Sequence, residues 1–230
     1  MTETTRRSQR SVSADTRTRR IERALGRVAL FGGPLVLFVA SLWHPETGHH
    51  GPGAAFVPVA DRYLAVHLLL VPAGPLLAAG LYSLVARARG GLALVARLVT
   101  GVFGFLITVY TSIAGLAVGI LATEAPAGTE QATVAALVDS LFVTPLPILL
   151  AVLTIGSYLV AVVLIASSLR RRGAPLLPLL ALVGSTVAIY NHLGLTGVVG
   201  TGLYLLAVVW LEFGWTPERT HSRAGRSAGS

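Results

Sequence analysis

The sequence predicts an all-α fold: a polytopic integral membrane bundle of six transmembrane helices with both termini cytoplasmic. Three observations predict it. Of the 230 residues, 53% are hydrophobic and only 12% charged, about half the charge that covers an ordinary soluble domain. Apolar stretches long enough for a bilayer core of about 30 Å recur along the chain. The charge that remains falls between those stretches rather than within them.

The spans read as 28–44, 63–85, 98–121, 146–168, 174–192 and 195–212. The first is interrupted by Gly32, Gly33 and Pro34. The fifth and sixth are separated by the break His192-Leu193-Gly194. Ahead of them, residues 1–27 are rich in Ser, Thr and Arg without apolar periodicity and read as a disordered basic cytoplasmic tail. Residues 28–212 form the transmembrane domain, and 213–230 a second disordered cytoplasmic tail. Arg19-Arg20 ahead of an apolar run matches a twin-arginine export signal only superficially, because further spans follow and the first span is retained.

All eighteen basic residues of the Lys/Arg class are arginine. A net charge of +8 raises the question of nucleic acid, but the placement of the arginines answers it differently. With the N-terminus in the cytoplasm, 1–27, 86–97, 169–173 and 213–230 carry every arginine except Arg62. That is the positive-inside pattern of a plasma-membrane protein, and the basic tail is expected at anionic lipid headgroups. Nucleic acid is not an expected partner; the lipid bilayer is, together with a membrane protein partner or a second copy of the chain.

The absence of cysteine and lysine excludes disulfides, thiolate metal sites, Schiff-base chemistry and a Walker phosphate loop. No acidic residue lies deep in a span, which argues against a carboxylate-based ion-coupled transporter. Glycine-rich Gly194–Gly202 and Gly115–Gly119 read as close helix packing. Pro72 and Pro75 each remove a helix N–H from span two and predict a kink there. Residues 129–143 form a short outer helix with Val134, Leu137, Val138, Leu141 and Phe142 on one side. The plainer expectation is that it continues span four outward to Pro145, and the other is a lid on the membrane surface.

Five of the six histidines, His44, His49, His50, His67 and His192, fall on the outer side under this topology. Imidazoles and carboxylates ligate zinc, copper or iron, so these five are the candidate metal ligands. His67 and His192, on different spans at similar depth, are also the candidate axial pair for a haem. Glu46, Asp61 and Asn191 are the neighbours expected to orient these rings or exchange protons with them. The spacing matches no diagnostic metal motif. The functional expectation is an outward-facing histidine cluster binding a transition metal or haem for redox or membrane-embedded enzyme chemistry. The alternative is a non-catalytic membrane subunit or small-solute permease with no metal site.

Overall fold

The structure is a computed structural model that describes residues 3–45, 53–86, 88–125, 128–186 and 194–215. Among these residues every regular element is helical, with no strand. The elements are α1 (Glu3–Trp43), α2 (Gly53–Phe56), a 3₁₀ turn (Val57–Val59), α3 (Ala60–Val85) and α4 (Gly91–Thr111). A π-helical segment (Ser112–Ala117) links α4 to α5 (Val118–Thr123). Then follow α6 (Gln131–Val143), α7 (Pro145–Arg170), α8 (Leu176–Gly184) and α9 (Gly194–Val209), which ends in a second π turn (Trp210–Gly214).

Five helical segments are long and apolar enough to cross a membrane: Arg20–Trp43, Val57–Val85, Gly91–Thr123, Pro145–Arg170 and Gly194–Gly214. They correspond to the expected spans one, two, three, four and six. Of the expected fifth span, the structure shows α8, and residues 187–193 lie outside the described residues. The outward surface suits lipid. Leu98, Phe105, Leu180, Leu195 and Leu206 are among many large apolar side chains left exposed, a pattern that water would penalise over so large an area.

The backbone of α1 is helical from Glu3, within the stretch 1–27 that precedes the apolar run. Residues 3–25 contain neither glycine nor proline, so nothing breaks a helix that is already nucleated by the packed span behind it. Helix α6 differs from the sequence reading. It does not continue span four. Thr144 adopts φ −69°, ψ 148°, an extended residue that separates α6 from α7, and Pro145 opens α7 at the first-turn position proline tolerates. The prolines of span two, by contrast, sit within one helix: α3 runs from Ala60 to Val85 through Pro72 and Pro75.

The bundle has two distinct ends. At one, Arg27 Nε bonds Glu212 Oε1 at 2.7 Å and the Arg27 guanidinium lies over the Phe213 ring. There too, Arg172 lies over the Trp215 ring, and Arg97 reaches the carbonyls of Ala93 and Ala86 between α3 and α4. At the other end, Ser41, Leu42 and His44 of the α1 terminus face Gly194, Leu195 and Val198 of α9 across a recess. The start of α1's apolar segment and the end of α9 therefore lie together, as do the end of α1 and the start of α9.

Helices α1 and α3 are antiparallel and meet backbone to backbone. A Cβ on Gly80 would stand 2.7 Å from Leu30 Cα and 2.9 Å from Ala29 O. One on Gly33 would press on the main chain of Leu76 and Leu77. Of the glycines of α9, Gly197 and Gly200 are buried, whereas a Cβ on Gly194 or Gly202 would meet nothing within 4 Å. The main core gathers Leu30, Leu81, Phe103, Tyr158, Ile165 and Leu182.

A side chain at Gly80 has only backbone to displace. Gly80→Leu is therefore expected to destabilise the bundle by at least the ~1–3 kcal/mol typical of overpacking. Gly101, with open space around its Cα, is the control. Thermal unfolding in detergent should show a lowered midpoint for Gly80→Leu and an unchanged one for Gly101→Leu.

Candidate functional site

Two of the five candidate histidines, His44 and His67, lie within the described residues, and the fold brings them together. His44 follows the last turn of α1, and His67 stands two turns into α3. Both are buried, at 4% and 5% exposure. Their rings lie edge to face with centroids 5.3 Å apart. The antiparallel α1–α3 contact produces this, because it sets the end of one helix against the start of the other. His49, His50 and His192 lie outside the described residues, as do Glu46 and Asn191. The expected His67–His192 pairing therefore lies outside them as well.

Each imidazole is oriented by a main-chain carbonyl. His44 Nδ1 lies 2.8 Å from Pro45 O, and His67 Nδ1 lies 2.8 Å from Tyr63 O. A carbonyl offers no proton, so Nδ1 donates in both rings and Nε2 carries the lone pair in the neutral tautomer. The carbonyl that holds His67 is that of the residue one turn earlier, not one freed by Pro72 or Pro75.

Tyr63 is the third member, and sequence reasoning missed it. Its ring lies 4.0 Å from the His67 ring and 5.7 Å from that of His44, centroid to centroid. The signal was available: residues 63 and 67 are four apart and share one face of a helix. Its hydroxyl donates to Ala114 O at 2.7 Å. That carbonyl belongs to the π-helical segment Ser112–Ala117. The wider turn disturbs the regular i to i−4 ladder, and the tyrosine supplies a bond from outside the helix.

The same segment makes room for the histidine. A Cβ on Gly115 would collide with Cδ2 and Cγ of His67, and one on Gly119 would reach Leu64 at 3.0 Å. The packing expected of Gly115 and Gly119 is thus present, and at Gly115 its object is the imidazole. Ser112, at the start of the segment, donates to Thr108 O and is engaged with its own helix.

Helix α6 covers Tyr63. Val138 packs with Tyr63 and Val118, joined by Leu121, Leu141 and Phe142. Gly53 N donates to Asp139 Oδ1 at 2.6 Å, tying the segment before α3 to this helix. Asp61 stands apart from the cluster, exposed in the first turn of α3, where a negative charge suits the helix dipole. Arg62 was not a sequence candidate. It donates from Nε to Trp43 O at 2.7 Å and lines, with Ser41 and His44, a recess of about 550 Å³ that opens beside His44. Among the described residues no three histidine, aspartate or glutamate side chains converge as a complete metal site. The two-histidine core, the tyrosine and the recess are what the described residues provide.

No protein-family model, curated protein or solved structure matches this chain. The geometry of the site alone carries the functional argument.

Burial lowers the pKa of His44 below its ordinary 6.5; the bond to Pro45 O acts against this, and the charge of Arg62 adds to it. The folded protein thus favours the neutral ring. The associated stability is complete above pH 6.5 and is lost as pH falls from there toward the lowered value. In chelator-treated protein, the unfolding midpoint should drop between pH 7 and pH 5, and His44→Gln should flatten that drop. A second test concerns Gly115. Gly115→Ala should displace the His67 ring, read as a changed imidazole resonance in NMR, while Gly101→Ala leaves it unmoved.

Proposed function

We propose that the chain is a multi-pass plasma-membrane protein whose outward end binds a transition-metal ion through imidazole nitrogen. The observation that carries this reading is the His44–His67 pair: two buried rings at 5.3 Å, each held through Nδ1 by a carbonyl. Histidines that ligate metals characteristically donate their other ring N–H to such a partner, which fixes the tautomer and aims the ligating nitrogen. With metal–nitrogen bonds of about 2 Å, two imidazoles on one tetrahedral ion have ring centroids roughly 5 Å apart. His49, His50 and His192 are the further ligands in this reading, with Glu46 and Asn191 beside them. An all-nitrogen and oxygen donor set suits zinc, copper or iron.

A metal ion fits the described pair better than haem. Axial ligands must stand on opposite faces of the macrocycle, and rings 5.3 Å apart in an edge-to-face contact leave no gap for that plate. A haem reading would rest on His67 with His192.

Six crossings, with both termini in the cytoplasm, accompany this proposal. The Arg27–Glu212 ion pair supports an even number, since it joins the beginning of the first span to the end of the last. The connection from α7 to α9 starts at the arginine end and finishes at the histidine end, so 174–193 is assigned the remaining crossing. The arginine count then places the histidine end outside. The tails 1–27 and 213–230 contact cytoplasm and anionic headgroups.

A small-solute permease or non-catalytic membrane subunit is the second reading, and the recess beside Arg62 and His44 favours it. The two differ in metal content. Purified protein is expected to carry or take up zinc, copper or iron at a fixed stoichiometry, measured by elemental analysis and titration. His44→Ala and His67→Ala should each weaken that affinity roughly 10–100-fold or more without loss of membrane insertion. Absence of stoichiometric metal from the native protein and from metal-titrated protein would leave the second reading standing.

A further inference from the structure

A second group of polar side chains lies deep in the bundle, away from the histidines. Thr154 and Tyr158 are one turn apart on α7, Ser185 caps α8, and Tyr204 stands ten residues into α9, roughly 15 Å along it from the histidine end. All four are at most 2% exposed, and Tyr158 and Tyr204 belong to the same core cluster. Ser185 donates to Leu182 O at 2.6 Å. Its proton is thereby committed, so the 3.4 Å contact with Tyr158 has the phenol as donor.

Two hydroxyls of this group make no hydrogen bond: Tyr204 Oη and Thr154 Oγ1. Thr154 departs from the pattern that most described hydroxyls within the spans follow. Thr100, Thr108, Ser112, Thr123 and Thr201 all turn their hydroxyls onto the carbonyl four residues earlier, at 2.6–3.0 Å. That local bond is the cheapest way to satisfy a hydroxyl within an apolar span, and Thr154 does not take it. A phenol and a threonine, both buried in an apolar interior and both unsatisfied, are costly. Buried groups of this kind are characteristically met by ordered water, which makes about three hydrogen bonds to them.

We propose that Tyr204 and Thr154, with the Tyr158–Ser185 pair beside them, form a binding site for ordered water inside the membrane-spanning bundle. Water there accepts a hydrogen bond from the Tyr204 hydroxyl and bonds Thr154. Such a site hydrates the seam of α7, α8 and α9 inside the main apolar core, where Phe103 also lies against Tyr158. The inference is independent of any metal at the histidine end.

Hydroxyl-radical footprinting by X-ray pulses tests it in the intact protein in lipid nanodiscs, because rapid oxidation deep in a bundle requires water held next to the ring. Tyr204 is expected to be labelled far faster than Phe103, a fully buried ring of the same cluster, after correction for intrinsic reactivity. Tyr204→Phe should in addition lower the unfolding midpoint by roughly 2–4 °C, since it removes a satisfied hydroxyl. Labelling of Tyr204 no faster than that of Phe103 overturns the proposal. So does a midpoint that rises or stays unchanged in Tyr204→Phe, the outcome for deletion of a dry, orphaned hydroxyl. If that variant fails to fold, labelling of the unaltered chain decides alone.

Discussion

The close approach of α1 and α3 is the constraint on which the histidine site depends. No hydrophobic force drives helices together in lipid, so their association depends on how closely surfaces fit. Gly33 and Gly80 let the two backbones touch. The contact is antiparallel, and its geometric consequence is that the end of α1 meets the start of α3. His44 and His67 are 23 residues apart in sequence, yet their rings are in contact because the helices carrying them fold back on each other. The π-helical segment then closes the other side, with Gly115 leaving space for the imidazole and Tyr63 anchoring Ala114 O.

The two ends of the bundle carry different chemistry. One gathers arginines, which engage Glu212, aromatic rings and main-chain carbonyls. The other gathers imidazoles and a phenol under the cover of α6. Among the described residues the arginines gather at the first end, apart from Arg62, which lies beside His44 at the other. Burial favours the neutral form of His44, and the neutral imidazole is also the form that ligates a metal.

Much of this was legible in the chain. The apolar runs located five helices with their C-terminal ends within two residues, although the first three begin six to eight residues earlier than the apolar pattern does, since length and hydropathy mark the membrane-crossing part and not where a helix starts. The convergence of His44 and His67 at one end followed from alternating topology. Other features depended on contacts that periodicity does not encode. The helical start at Glu3 reflects the absence of a breaker rather than any apolar signal. The extended residue at Thr144, which frees α6 from α7, depends on a single ψ angle. Gly115 read as a packing glycine, and only the fold shows that an imidazole is what it packs against. Tyr63 is not a metal-ligand type by itself, and its four-residue spacing from His67 is the cue that places the two on one helix face. Thr154 and Tyr204 look like any other hydroxyls in a span until their neighbours' bonds are compared with theirs.

X-ray absorption at the metal edge of zinc- or copper-loaded protein shows whether His44 and His67 share one ion. Imidazole scattering from at least two nitrogens at about 2.0–2.1 Å is expected, with one imidazole lost in His67→Ala and one in His44→Ala. A first coordination sphere without imidazole, or one that neither substitution alters, would contradict it.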